Sequence, residues 1–200
     1  MHRRTILAPV LFFALVISSC SPRDFLTRRL AADLIAGSRT FNAPQRFALQ
    51  TGIVSNKLYF SPEYLALQHR GWISATTAGC TPDLAPPPCW DVTLTPSGVD
   101  TIHVLVDPAD AAKKSFNISA ARRELAAITG ISKQGITADV DFTWKWFPLN
   151  EVGAAIFPAD TLYRSSVGFR SYDDGWRIVD SAFHSGQSLD DALKNAEPVR

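Results

Sequence analysis

The chain has 200 residues, of which 46% are hydrophobic and 20% are charged. This ordinary composition excludes a disordered tail, a collagen-like chain and a coiled coil, and the length predicts one domain. The 20 basic and 19 acidic side chains nearly balance, so the overall charge gives no attraction to nucleic acid or to an anionic membrane.

The first twenty residues predict an export signal. Arg3 and Arg4 precede an apolar run from Ile6 to Ile17. About a dozen residues cannot cross a bilayer, which needs about 20, but this length fits the hydrophobic region of a secretory signal. The run ends in Ile17-Ser18-Ser19-Cys20, an aliphatic residue and two small residues before a cysteine.

This ending resembles the lipobox of bacterial lipoproteins, in which the peptide is cut before the cysteine and the thiol is acylated. The resemblance implies a signal peptide over 1–19, lipid on Cys20 and a bacterial cell-envelope location. Ser21 in place of aspartate implies the outer membrane, facing the periplasm, under the enterobacterial sorting rule. The alternative is an ordinary cleaved signal in which Cys20 is incidental.

A helix is predicted directly after the cysteine. Ser21 and Pro22 are typical of a helix start, and Gly37 is typical of a position just past a helix end. The sequence therefore predicts a lipid-anchored helical segment over 20–40, followed by a single domain over 41–200. Its helix, over 22–36, has three leucines spaced four residues apart: Leu26, Leu30 and Leu34.

The first half of the domain is predicted to mix strands with one short helix. One or two strands are predicted over 42–60, on the apolar positions Phe47, Leu49, Ile53, Leu58 and Phe60. Ser61 and Pro62 predict the start of a helix that ends near His69. Further elements are predicted in this order: a strand at 72–77, a strand at 90–94, a turn at 96–98 and a strand at 102–106.

Helix, strand, turn and strand in this order resemble a winged helix, with its wing at 95–98. A DNA-binding helix would need basic side chains, and 62–69 contains no Lys or Arg. The export signal also argues against DNA, so no nucleic-acid partner is predicted.

Cys80 and Cys89 are the two cysteines left if Cys20 carries lipid. Exported chains meet an oxidising compartment, so the two are predicted to form a disulfide. A metal site would favour closer spacing and further ligands nearby. A redox pair would favour two intervening residues rather than eight.

The second half is richer in strands. Polar and apolar residues alternate over 139–146 and give the clearest strand in the chain, predicted at 138–147, with Asp139, Asp141 and Lys145 predicted to face water. Residues 116–132 favour a strand that forms a hairpin with it, although their Ala, Arg, Glu and Leu content also suits a helix. Further predictions are a strand at 161–172, a turn at 173–175, a strand at 176–183 and a short helix after Ser188.

Long antiparallel strands with an N-terminal helix resemble the NTF2-like and cystatin-like folds, over about 110–183. The predicted fold class is therefore α+β, with a curved antiparallel sheet, an N-terminal helix and short flanking helices. The alternation over 138–147 places aromatic side chains on one face of that sheet. These side chains form either the core or the lining of a ligand pocket, in which we include Phe142, Trp144, Trp146, Trp176 and His103.

No catalytic motif, cofactor fingerprint or metal-binding pattern is found in the sequence. Asp139 and Asp141 are read as a solvated strand face. His184 is read as an exposed histidine at a strand end, the alternative being a pairing with Asp180, and no nucleophile motif accompanies them. The sequence therefore predicts a lipid-anchored, non-enzymatic scaffold or interaction module, with the membrane as a partner through Cys20 and an envelope protein as a candidate second partner. The alternative is a small-molecule-binding or enzymatic pocket of the NTF2-like type.

Overall fold

The structure is a computed structural model, and it describes residues 25–84, 86–106, 114–179 and 187–199. The predicted signal peptide, Cys20, the start of the predicted helix at Ser21 and both Asp180 and His184 lie outside these ranges. The described residues form an α+β fold with a curved antiparallel sheet, as the sequence predicts.

Short helices and antiparallel strands follow one another along the chain. The helices are α1 (Arg28–Gly37), α2 (Arg39–Asn42), α3 (Asn56–Tyr59), α4 (Pro62–His69), α5 (Pro96–Ile102), α6 (Glu151–Ile156) and α7 (Leu189–Lys194). The strands are β1 (Gln45–Gln50), β2 (Gly52–Ser55), β3 (Ile73–Ala78), β4 (Cys89–Leu94), β5 (Ser115–Gln134), β6 (Thr137–Pro148), β7 (Leu162–Tyr172), β8 (Gly175–Ile178) and β9 (Glu197–Pro198).

The larger sheet has the strand order β1-β5-β6-β7-β8, and β9 pairs with β7. Its centre is the β5–β6 hairpin, in which Gln134 pairs with Thr137 at the turn and Ala121 pairs with Pro148 at the far end. The β7–β8 turn follows, with Gly175 at a φ of 130° that favours glycine. The predicted strands at 116–132, 138–147 and 161–172 are confirmed.

One face of β6 and its neighbours is covered by α1, α2 and α7. Side chains on alternate positions of a strand share a face, and Val140 and Phe142 are fully buried while Asp139 and Asp141 are exposed. Lys145, predicted to face water, is half-buried. This first core contains Ala31, Ile35, Phe41, Ala138, Val140, Phe142, Trp144, Val167, Phe169, Trp176, Leu189, Ala192 and Leu193.

A second core lies between β1, the early part of β5 and the smaller sheet, whose order is β2-β4-β3. Phe116, Ile118 and Ala120 point into it from β5. Leu125 instead pairs with Trp144 of the first core, and Arg123 pairs with Trp146, which packs against that core. Even and odd positions of a strand point to opposite faces, so the two cores lie on opposite faces of β5.

Residues 96–106 correct the prediction of a turn followed by a strand. They form α5 and a short 3₁₀ turn over His103–Leu105. The Thr95 hydroxyl accepts a hydrogen bond from the backbone N–H of Gly98 at 3.0 Å, and Pro96 occupies the first turn. Thr95 is therefore a helix cap and not part of a wing, and the winged-helix arrangement is wrong.

Two further boundaries differ from the prediction. Leu58 lies in α3 rather than in a strand and Phe60 directly follows that helix, because the Ser55 hydroxyl caps α3. Helix α1 begins after Thr27, whose hydroxyl accepts from the N–H of Leu30, and Gly37 is its last residue. The helices after Ser61 and Ser188 begin where predicted.

Candidate functional site

Two consecutive buried hydrogen bonds connect the aromatic face of β6 to β7 and α7. Trp144 is 2% exposed, and its ring stacks on Tyr163 with centroids 4.8 Å apart. Its indole Nε1 donates to Ser165 Oγ at 3.0 Å, and Ser165 Oγ donates to the carbonyl of Ala192 at 2.8 Å. One tryptophan therefore connects β6 to β7 and, through a serine, to α7.

Arg123 covers the outer end of this face, although it was not among the predicted site residues. Its guanidinium carbon lies 5.0 Å from the Trp146 ring centroid and 5.7 Å from that of Trp144. Nη1 donates to the carbonyl of Thr40 at 3.3 Å, and Nε is buried with no hydrogen-bond partner. Burial lowers the pKa of Arg123, and the negative charge of Asp190 opposes that shift.

No signal in the sequence places Arg123 there. Arg123 pairs directly with Trp146 across the hairpin, but the register shifts twice between the turn and this pair, between Leu125 and Ala127 and between Ile128 and Gly130. Counting back from the turn would have placed Arg123 opposite Pro148 instead. The ring of Phe157 also contacts Trp146, with ring centroids 5.0 Å apart.

The other residues predicted to line a pocket are distributed between the two cores. Phe142 is fully buried and contacts Phe41 edge-on, with ring centroids 6.4 Å apart, and Trp176 is 4% exposed in the same core. His103 stacks instead on Phe116, at 5.9 Å, beside the second core. The structure therefore brings the four aromatic residues into one cluster and separates His103 from them.

An open groove of about 410 Å³ lies between α5, the 3₁₀ turn after it and the start of α6. Its lining combines two carboxylates with an exposed aliphatic patch: Asp100, Thr101, Val104, Leu105, Asn150 and Glu151. None of these residues was predicted to form a site. The arrangement contains no paired nucleophile and base.

Few polar side chains are buried in the described ranges. Within them, the buried polar or charged residues are Ser165 and Ser188, and both are hydrogen-bonded. In those same ranges no group of three or more His, Cys, Asp or Glu could hold a metal ion. Asp139 and Asp141 are two residues apart on β6 and both lie on its exposed face.

Cys80 and Cys89 are joined by a disulfide with their Cα atoms 5.2 Å apart. Cys89 is fully buried at the start of β4, where it pairs with both Ser55 on β2 and Ala78 on β3. The bridge therefore fixes the loop that precedes the central strand of the smaller sheet. It confirms the pairing that the sequence predicts.

Replacing Cys80 and Cys89 together with serine is expected to lower the free energy of unfolding by about 2.5–3 kcal/mol, because the unfolded chain loses a ten-residue ring. Urea unfolding of the purified protein measures this effect. The control is the unaltered protein with reductant, which should shift by the same amount. Mass spectrometry of non-reduced peptides should find the two residues linked, and two free thiols would contradict the pairing.

Within the described ranges, no helix is long and apolar enough to cross a membrane. Comparison of the chain with protein-family models, with curated proteins and with solved structures finds no match.

Proposed function

We propose that this chain is exported, acylated on Cys20 and held at the bacterial cell envelope, where it acts as a non-enzymatic scaffold or interaction module. The observation that carries the proposal is the sequence Ile17-Ser18-Ser19-Cys20 at the end of a short apolar run with two preceding arginines. The Cys80–Cys89 disulfide supports it, since such bonds form in oxidising compartments.

The packing supports a scaffold over a pocket. A ligand site typically places a few polar groups in an apolar cavity. The aromatic face instead contacts side chains of α1, α2 and α7, and Trp144 Nε1, a buried polar group on this face, is bonded to Ser165. Binding would then use the outside of the domain. An NTF2-like pocket on this face stays a prediction.

The proposal is tested first at the anchor. The Cys20→Ser variant has no thiol at the lipobox, so we expect it to lose all incorporation of a labelled fatty acid in growing bacteria and to leave the membrane fraction or remain uncleaved. The measurement is the label on the immunoprecipitated protein, together with its distribution between membrane and soluble fractions.

A double variant, Cys80→Ser with Cys89→Ser, serves as the matched control. It removes the other two thiols and should keep the wild-type label. Equal label in wild type and Cys20→Ser, or no label in wild type, would overturn the lipid anchor.

A further inference from the structure

Exposed apolar side chains collect at the end of the larger sheet that carries the β5–β6 turn. Ile136 lies in that turn and is 58% exposed, and its carbonyl accepts from the N–H of Ser171 at 2.8 Å. Tyr172, next in the chain, is 45% exposed at the β7–β8 turn. Phe25 is 56% exposed and lies against Lys133. Lys133 is two residues before Gly135 of the β5–β6 turn.

Cations surround these apolar groups. Lys133 Nζ lies 5.7 Å from the Phe25 ring centroid and 5.1 Å from that of Trp176. Arg170 and Arg177 place their guanidinium carbons 5.7 and 5.2 Å from the Tyr172 ring centroid. We define the tip surface as these six side chains: Phe25, Lys133, Ile136, Arg170, Tyr172 and Arg177.

The described residues at and around the tip surface have a net positive charge even when the acidic ones are included. Asp173 and Asp174 occupy the β7–β8 turn, where Asp174 pairs with Arg177, and Asp139 lies two residues past the β5–β6 turn. The first turn of α1 adds Arg28 and Arg29 just after Phe25. Among the described residues at this end, there are therefore five cations and three carboxylates, although the whole chain is nearly neutral.

The covalent tether places this same end nearest to the lipid. Five peptide units separate Cys20 from Phe25, and a fully extended chain of that length spans at most about 18 Å. The opposite end of the β5–β6 hairpin is farther away, because the twelve residues of β6 extend over about 40 Å. A lipid on Cys20 can therefore hold the tip surface against the bilayer but not the far end of an upright domain.

We propose that the tip surface rests on the membrane, with Phe25, Ile136 and Tyr172 in the headgroup region and Lys133, Arg170 and Arg177 against anionic phospholipid headgroups. Aromatic side chains beside Lys and Arg are typical of membrane–water interfaces. This inference rests on the proposed acylation of Cys20. It adds the orientation of the domain and the lipid charge that the domain prefers.

The orientation is tested with the acylated full chain in phospholipid vesicles that contain lipids brominated in the acyl chains near the headgroup. Ile136→Cys is labelled with an environment-sensitive fluorophore, since Cys80 and Cys89 are bonded to each other and Cys20 carries the lipid. The matched control is Val104→Cys, an 80% exposed aliphatic position beside the second core. We expect bromine quenching at position 136 and none at position 104.

The lipid charge is tested by comparing vesicles of zwitterionic lipid with vesicles that contain phosphatidylglycerol. A domain whose label at position 136 is quenched counts as docked. Arg170→Gln and Arg177→Gln should each lower the ratio of docked to undocked domain about fivefold on the anionic vesicles, because one cation near such a surface usually contributes that much. Lys57→Gln, an exposed cation on α3, should leave the ratio unchanged.

The failures of the two proposals are distinguishable. A chain that carries label on Cys20 and binds vesicles, but is quenched equally at positions 136 and 104 or at neither, overturns the orientation and leaves the anchor intact. Quenching at position 136 that is the same on zwitterionic and anionic vesicles overturns the headgroup contact. Absence of fatty acid from Cys20 overturns the anchor and the orientation together.

Discussion

Replacing Trp144 with alanine is expected to lower the free energy of unfolding by about 3–5 kcal/mol, the usual cost of truncating a core aromatic. The side chain is 2% exposed, stacks on Tyr163 and contacts Trp146 edge-on at 5.0 Å. Alanine would also remove the donor to Ser165 Oγ. A domain of this size has a total stability of about 5–15 kcal/mol, so the variant should be poorly folded.

Two further variants separate the sources of this loss. Trp144→Phe keeps an aromatic ring but leaves Ser165 without its donor, and should cost about 1 kcal/mol from the lost hydrogen bond as well as some packing. Asp139→Ala, on the exposed face of the same strand, should cost less than about 0.5 kcal/mol. Urea unfolding of all three variants is the measurement. If Trp144→Ala unfolds at the wild-type midpoint, this face is not core.

Gly153→Ala is expected to destabilise the protein by about 3 kcal/mol, at the upper end of the usual cost of overpacking. A Cβ at Gly153 would lie 1.8 Å from the carbonyl oxygen of Ala120. That oxygen cannot move freely, since it accepts from the N–H of Leu149 at 2.9 Å. The backbone of α6 would have to shift away from β5, and this would open the second core around Val152.

Gly98 makes the same close approach in α5, where a Cβ would lie 1.9 Å from the carbonyl oxygen of Trp72. Gly98→Ala should therefore have a similar cost. Gly37→Ala is the control, because Gly37 is exposed in α1 with nothing within 4 Å of a Cβ, and alanine there should stabilise the helix by up to about 1 kcal/mol. Thermal unfolding checks all three. Equal midpoints for Gly153→Ala and Gly37→Ala would contradict the close approach.

The strands of the larger sheet were predictable because alternation is a local property of the sequence. Polar and apolar residues alternate over 139–146, and this period of two is typical of a strand rather than a helix. The neighbouring strand β5 was ambiguous, since Ala120 to Ile128 contains good helix formers. Its pairing with β6 over 121–134 decides the outcome, and pairing between strands is a tertiary contact that overrides intrinsic propensity.

The missed helices are short and depend on caps. Thr95-Pro96-Ser97-Gly98 has the residues of a turn and also those of a capped helix start with proline in the first turn. The close approach of Gly98 to Trp72 favours the helix, and nothing local reveals that contact. Helix α6 had a readable signal, because Asn150 caps it and Glu151 follows in the first turn.

The candidate site was less predictable than the fold. Alternation along β6 correctly grouped Phe142, Trp144 and Trp146 on one face. It could not show that Arg123 would cover the end of that face, or that His103 would lie beside the other core. The tip surface was not predictable for a different reason. The net charge of the whole chain does not show where its cations lie, and the turns bring several of them to one end of the sheet.

The end of the β1–β5 pairing has a consequence for how the molecule is assembled. Gln50 pairs directly with Ser115, and the N–H of Thr51 donates to the carbonyl of Lys114 at 2.9 Å. The chain between these points contains the whole smaller sheet, yet it leaves and returns at one place. The smaller sheet is in effect an insertion into a hairpin loop. Since the entropy of loop closure rises only slowly with length, the framework would accept inserts of very different size at this point, provided that each one covers Leu49, Phe116 and Ile118.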